Sequence, residues 1–389
     1  MTPSPPLSGS HAADLLSVFD VVASGRATTR AEVAGALGMR PTTVSLLVAE
    51  LSRRDLIRDH VVRGQGRGRP TAFLAENRLR LVALYLHIVS STIYARIVDR
   101  TGRVLATVSV SPPQQADNAA MARAMHELAR QALGHLPAGA YHVATVCSLS
   151  GLLDVGARLW CFSSRWPRID NLDLCEVLKD LGPEPVLVRN MDAELAGRIA
   201  DGPADARNVL LLHWGYGIGG AFATPDGIIN QDRGRFCEIG HWRLDSHAGR
   251  PCTCGNVDCL ETVAALWALY PVLSRRFPDL PLDEARLGPL AARFDLLQIP
   301  EMAEALRQTV RITSNLCRLL FPEKIILTGP FLQSPSIFTG FSESLFAAPI
   351  LHRKDMPMVV QGEDGAAAFE MAGALHAPLR AALLQIISA

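Results

Sequence analysis

The chain has 389 residues, 49% hydrophobic and 20% charged, with 38 Lys and Arg balancing 38 Asp and Glu. That composition excludes a disordered chain and is enough to bury two or three cores. The first twenty residues carry no basic stretch leading into an apolar segment, and no run approaches the roughly 18 apolar residues of a membrane helix, so a soluble cytoplasmic protein is expected, without a membrane partner.

The charge is unevenly spread. Residues 1–80 hold eleven Arg, no Lys and seven Asp or Glu, about +4, which leaves about −4 for the remaining 309. A basic end on an acidic body suits a protein that meets nucleic acid at one end. Leu15, Leu16, Phe19 and Val22 follow helical spacing until Ser24-Gly25 breaks the pattern. A second short helix begins after Thr28 or Thr29 as cap and ends at Gly38. Pro41 then opens a third, with Val44, Leu47, Val48 and Leu51 on one face and Arg40, Thr42, Thr43 and Ser45 on the other.

Two short helices joined by a tight Gly-containing turn form a helix-turn-helix pattern, whose second helix offers its N-terminal polar side chains to the DNA major groove. A plain helical hairpin would have the same spacing. The stretches 56–59 and 71–74, however, read as strands flanking the Gly- and Arg-rich segment 63–70, which makes a wing. Arg67 and Arg69 in Gly66-Arg67-Gly68-Arg69-Pro70 suit a narrow A·T-rich minor groove, although a solvated basic loop would share the composition. A winged helix-turn-helix over 1–76 is the expectation, with Arg40, Thr42, Thr43, Ser45, Arg67 and Arg69 on operator DNA.

Beyond residue 77 strands alternate with helices in an α/β pattern. A strand is expected from about 79 to 86 and a strand pair ending at 98–104, followed by an amphipathic helix at 118–134. A second set has strands at 186–188 and 209–212, the Gly-rich Gly215-Tyr216-Gly217-Ile218-Gly219-Gly220, helices through 262–274 and 301–320, and a strand Lys324–Thr328. Two similar halves around a cleft are expected.

Eight cysteines are too few and too clumped for a disulfide scaffold. His241 with Cys252, Cys254 and Cys259 supplies one imidazole and three thiolates within nineteen residues, the donor set of a closed structural Zn2+ site. Cys237 and His247 lie close by in sequence.

These segments together resemble the ROK family of repressors and sugar kinases, and its transcriptional-regulator branch in particular. The resemblance runs from the winged helix through the Gly-Tyr-Gly-Ile-Gly-Gly loop, Glu238-Ile239-Gly240-His241, the cysteine cluster, Ile326-Leu327-Thr328-Gly329 and Gly373-Ala374. It implies a two-lobed, actin-like, sugar-kinase-like body over 77–389 that carries zinc on His241, Cys252, Cys254 and Cys259, with dimers or tetramers common. It also implies that Asn190, Glu238, His241 and Glu261 face sugar hydroxyls; for Glu261, a carboxylate placed by a helix N-terminus is the alternative.

Kinases of the family take the hydroxyl proton on the Asp of an Asn-Asp pair, a position held here by Met191 after Asn190, with Asp192 one residue further. Their first phosphate motif aligns with residues 86–92, where His87 replaces the Asp and the Gly is missing. The expectation is therefore a DNA-binding regulator, a repressor, that senses a sugar-like effector without phosphorylating it. The rivals are a sugar kinase with an added DNA-binding module, and a regulator controlled by a protein partner.

Overall fold

The computed structural model describes residues 9–62, 71–201, 208–280, 282–347, 356–362 and 365–389. Three helices open the chain: α1 (Gly9–Ala23), α2 (Arg30–Leu37) and α3 (Pro41–Arg53). Thr29, not Thr28, is the N-cap of α2, and a reciprocal capping box with Glu32 satisfies donors that the first turn would otherwise leave unpaired. Gly38 ends α2 in the left-handed conformation at φ 61°. An antiparallel pair follows, β1 (Ile57–Val62) and β2 (Thr71–Glu76), each longer than the expected strand. The segment between them, with Arg67 and Arg69, lies outside the described residues.

The first lobe is a sheet ordered β10-β6-β3-β4-β5. Its strands are β3 (Val82–Val89), β4 (Thr92–Asp99), β5 (Val104–Val110), β6 (His142–Leu149) and β10 (Pro185–Arg189). α4 (Asn118–Gly134), capped by Asp117, covers its outer face through Met121, Met125 and Leu128. A small sheet of β7 (Leu152–Asp154), β8 (Leu159–Phe162) and β9 (Leu172–Asp173), and the short α5 (Leu174–Leu178), fill the crossover to β10.

The second lobe repeats the plan as β13-β12-β11-β14-β15. Here β11 (Val209–Trp214), β12 (Ile218–Thr224) and β13 (Gly227–Ile228) form the antiparallel part, while β14 (Lys324–Thr328) and β15 (Met358–Gln361) run parallel to β11. In both sheets a three-strand meander is extended by two parallel strands on the side of its first strand. This is the duplicated, actin-like architecture of sugar kinases.

The outer face of the second sheet carries α7 (Glu261–Ala264), α8 (Leu266–Arg276), α9 (Glu284–Ala291), α10 (Pro300–Leu320) and α11 (Pro335–Ala347). The helix expected through 262–274 is thus two, broken at Ala265, which is extended with ψ 153°.

Between the sheets lie α6 (Asn190–Asp201) and α12 (Ala366–Ser388). Ala193 of α6 packs on the first sheet's cluster with Ala374 and Leu375 of α12, whereas Met191 and Leu195 pack on the second sheet. The two helices cross so closely that a Cβ at Gly197 would collide with the Phe369 carbonyl, and one at Gly373 with the Ala193 carbonyl. α12 then leaves the body: Ala382, Leu383 and Ile387 complete the core formed by Leu15, Phe19, Val44 and Leu51 of the N-terminal helices. Asp20 with Arg380, at 3.0 Å, and Arg54 on the Ile386 carbonyl reinforce this junction. Among the described residues no helix is long and apolar enough to cross a membrane.

Candidate ligand cleft and metal centre

The lobes enclose a cavity of about 700 Å3. Asn190, Met191, Glu238, His241 and Glu261 all line it, so the four expected sugar-facing residues converge from separate elements. Asn190 opens α6 at the end of β10, Glu238 precedes and His241 ends a 3-10 turn over 239–241, and Glu261 opens α7.

Glu261 does not serve its own helix. Its carboxylate accepts from the Ile218 backbone N–H at 3.0 Å and from the Trp267 indole at 3.3 Å, which holds it against the Gly-rich β11–β12 turn. Burial raises its pKa, as it does that of Glu238. Glu238 is held by Arg189 at 3.1 Å. This guanidinium, 2% exposed, also donates to the backbone carbonyls of Phe236 and Gly220 and forms a two-point pair with Asp192 at 2.7 and 3.3 Å.

Asp192 is accordingly fully buried and turned away from the cavity, while Met191 lines it. The only carboxylate among residues 190–192 is thus aimed into the protein, where it pairs with Arg189.

His87 is likewise enclosed. Its ring stacks between Tyr85 and Tyr94, at centroid distances of 4.9 and 5.3 Å, and burial pushes its pKa down to about 3, so it is neutral. Ile88, Val89 and Ser90 line the cavity in its place.

Apart from Tyr216, which belongs to the Gly-rich loop, several cleft groups gave no sequence signal. Glu370, on α12, accepts from Ser148 at 2.6 Å and Tyr85 at 3.2 Å, and burial lifts its pKa to about 8. Arg165, His213, Tyr216 and Glu284 cluster at another part of the wall. No linear motif unites such residues; only the sheet duplication brings them together.

His241, Cys252, Cys254 and Cys259 present ligand atoms that all lie within 4.8 Å of one another. His241 Nδ1 is 3.5 Å from Cys252 Sγ, and Cys254 Sγ is 3.7 Å from Cys259 Sγ. Tetrahedral zinc with bonds of about 2.3 Å to sulfur and 2.0 Å to nitrogen requires ligand separations of roughly 3.5–3.8 Å, so the cluster could hold a metal ion. The loop is arranged for it: Cys252 donates its N–H to Asn256, and the Asp258 carboxylate accepts from the amides of Gly249 and Arg250. Cys237 lies instead against Gly220, and His247 pairs with Asp245 at the surface. His241 is shared between this cluster and the cleft wall.

At the N-terminal unit Arg40, Thr42, Thr43 and Ser45 are all exposed at the start of α3, opposite the buried Val44, Leu47, Val48 and Leu51. Leu46 stands among them, 73% exposed, an apolar side chain absent from the expected contact set.

The duplicated fold, the two-sided cleft and the cysteine loop place the chain in a defined group: it belongs to the ROK family, whose sequence profile matches residues 87–358. Among its relatives is the DNA-binding transcriptional repressor Mlc of Escherichia coli K12, 21% identical over 79% of this chain and 78% of that protein. The DNA-binding transcriptional dual regulator NagC of the same organism is 22% identical over 85% and 84%. A glucokinase of Halalkalibacterium halodurans is 34% identical over 37% of this chain, spanning about half (48%) of its length. A solved ROK family transcriptional regulator, homolog of the E. coli MLC protein, superimposes with a TM-score of 0.70 at 19% identity, covering 98% of this chain and all of that one. The Streptomyces griseus ROK glucokinase, solved with glucose and AMPPNP, gives 0.60 at 19% identity over 75% and 98%.

Proposed function

We propose that this protein is a homo-oligomeric DNA-binding transcriptional regulator, a repressor, whose cleft binds a sugar-like effector without phosphorylating it. The observation that carries this reading is the path of α12. The helix lines the cleft at Glu370 and ends inside the N-terminal core at Leu383 and Ile387. Glu370 and Leu383 are thirteen residues apart, about 20 Å along one helix at 1.5 Å per residue. A ligand that resets the lobes therefore reaches the N-terminal unit through one continuous helix, packed on α6 at Gly197 and Ala193 and carrying Pro378 between its two ends.

Residues 1–76 are read as a winged helix-turn-helix, with the last turns of α12 completing its core, and 77–389 as the sensing and oligomerising body. Arg40, Thr42, Thr43 and Ser45 would enter the major groove, with Leu46 available to a thymine methyl group. Arg67 and Arg69 would follow the minor groove. In a homodimer or tetramer on a two-fold operator, a change in lobe placement alters the spacing of paired α3 helices. Relatives named as DNA-binding repressors, matched over most of both chains, support this reading.

Asn190, Glu238, His241 and Glu261 offer the donors and acceptors that sugar hydroxyls need. Phosphoryl transfer would need a carboxylate beside them to receive the hydroxyl proton, and Met191 stands there. Zinc on His241, Cys252, Cys254 and Cys259 is proposed as structural, holding His241 towards the ligand. With four protein ligands it leaves no open coordination position for chemistry.

The test is operator affinity of the zinc-loaded full chain, by fluorescence anisotropy, with ligands first found by thermal shift among sugars, sugar phosphates and ATP. A sugar that stabilises the protein and weakens operator binding is expected. Sugar-dependent ADP release would favour the kinase, and operator affinity unchanged by every ligand that binds the cleft would end the sensing reading.

A further inference from the structure

The two antiparallel meanders that begin the lobes each send a hairpin turn into the cleft: β3–β4 at Ser90 and β11–β12 at Gly215, Tyr216 and Gly217. In the second turn the Gly215 N–H is taken by the Gly217 carbonyl and the Ile218 N–H by Glu261, which leaves the Tyr216 N–H to donate to an anion in front of the turn. In this chain both turns are engaged by one dipeptide, Asp283-Glu284, at the start of α9.

Glu284 Oε1 accepts the Tyr216 backbone N–H and lies 3.2 Å from His213 Nε2. Its Oε2 meets Arg165 Nη2 at 3.2 Å, and that guanidinium stacks 4.2 Å over the Tyr216 ring. On the opposite turn, Ser90 Oγ donates to Asp283 at 3.1 Å and accepts the Glu284 backbone N–H at 2.9 Å. One carboxylate thus receives a backbone amide, faces an imidazole and pairs with a guanidinium, the donor set expected around a phosphate. These groups hold its pKa down to about 2 despite burial, so it is an anion at any physiological pH.

We propose that Glu284 is a built-in anion that fills the phosphate cradle of the Gly-rich turn and, through Arg165 and Ser90, ties the second lobe to the first. The inference deepens the reading of a cleft that binds without phosphorylating, and rests on it. It adds that the cradle is occupied by the chain itself, and that a ligand phosphate reaches it only by displacing Glu284. Arg165 enters from the segment after β8 in the first lobe, so the same carboxylate bridges the two bodies that a sensing motion would separate.

The probe is inorganic pyrophosphate, titrated calorimetrically into the zinc-loaded full chain. Wild type is expected to show no saturable binding, whereas Glu284→Ala, which frees the Tyr216 N–H, His213 and Arg165 together, binds it, with an affinity gain of roughly tenfold or more. Glu284→Gln keeps the shape and loses the charge; it is expected to lie between them and decides the matter if the alanine variant does not fold. Amide exchange at Tyr216, slow in wild type, should accelerate in Glu284→Ala.

Pyrophosphate binding to wild type as tight as to the variants would overturn the proposal, and so would a folded Glu284→Ala or Glu284→Gln that stays silent. A parallel sugar titration separates the two readings. Variants that bind sugar normally but never pyrophosphate sink the internal anion alone, while ATP turnover by wild type sinks the non-phosphorylating cleft as well.

Discussion

Replacing Asp192 by Asn distinguishes a structural carboxylate from a catalytic one. In the folded protein Asp192 is 0% exposed and Arg189 is 2% exposed, and they meet at 2.7 and 3.3 Å. Removing one partner of a buried ion pair costs about 3–5 kcal/mol, because the other charge stays behind uncompensated. Arg189 keeps Glu238 and the Phe236 and Gly220 carbonyls, so the cost should fall near the lower end, about 3 kcal/mol, or roughly a hundredfold in the local folding equilibrium. Urea unfolding followed by tryptophan fluorescence reads this directly. Trp214 is buried in the second-lobe core and Trp160 and Trp166 in the first, so the lobe that loses stability can be traced. Because Arg189 also holds Glu238, sugar affinity should fall in parallel, with ADP release absent before and after. A variant of unchanged stability that abolishes a wild-type, sugar-dependent ADP release would refute the reasoning and make Asp192 the base.

Further outcomes follow from other parts of the structure. Leu383→Ala truncates a side chain 1% exposed in the N-terminal core; it should cost about 2–5 kcal/mol and leave operator affinity less responsive to ligand, measured by anisotropy with and without it. Purified protein should carry one zinc per chain by elemental analysis, and Cys254→Ser should lower that content and weaken sugar binding through His241, unchanged sugar affinity in the zinc-poor variant arguing against the shared role. Arg40→Ala should reduce the salt dependence of operator binding by about one unit of log–log slope if Arg40 meets a phosphate. Glu370, with a folded pKa of about 8 against 4.5 in the free side chain, holds a proton in the native state that the unfolded chain has lost. Stability should therefore fall as pH rises from about 4.5 to 8, by up to about 1.4 kcal/mol per unit, and Glu370→Gln should flatten that slope in denaturation at stepped pH.

Local sequence rules carried the reading furthest where structure is local. The cap of α2 near Thr29, the turn at Gly38 and the apolar face of α3 each depend on a few neighbouring residues, and α4 was bounded at Asn118 and Gly134 by its periodicity. The metal cluster was legible because three of its donors fall within eight residues and the fourth is eleven residues before the first of them. Asn190, Glu238 and Glu261 were placed by resemblance, and they do share one cavity. The helix through 262–274 misled because its composition is helical throughout; the break at Ala265 lets Leu266 donate its N–H to the Gly215 carbonyl, a long-range demand that no periodicity shows. α12 was visible only as a terminal helix, since its role depends on meeting residues more than 300 positions earlier in the chain.

The cleft explains why the same scaffold serves catalysis and sensing with few changes. Asn190, Glu238, His241 and Glu261, the groups proposed to meet hydroxyls, sit on turns and helix starts fixed by the two sheets, independently of whatever stands at the reacting atoms. Asp192, one residue after Met191 on α6, points to a different side, because successive helical side chains lie about 100° apart. Its charge holds Arg189, and through it Glu238, in the cleft wall. A cleft that held its ligand without turning it over would suit a steady-state sensor, because occupancy would then follow ligand concentration instead of a reaction rate.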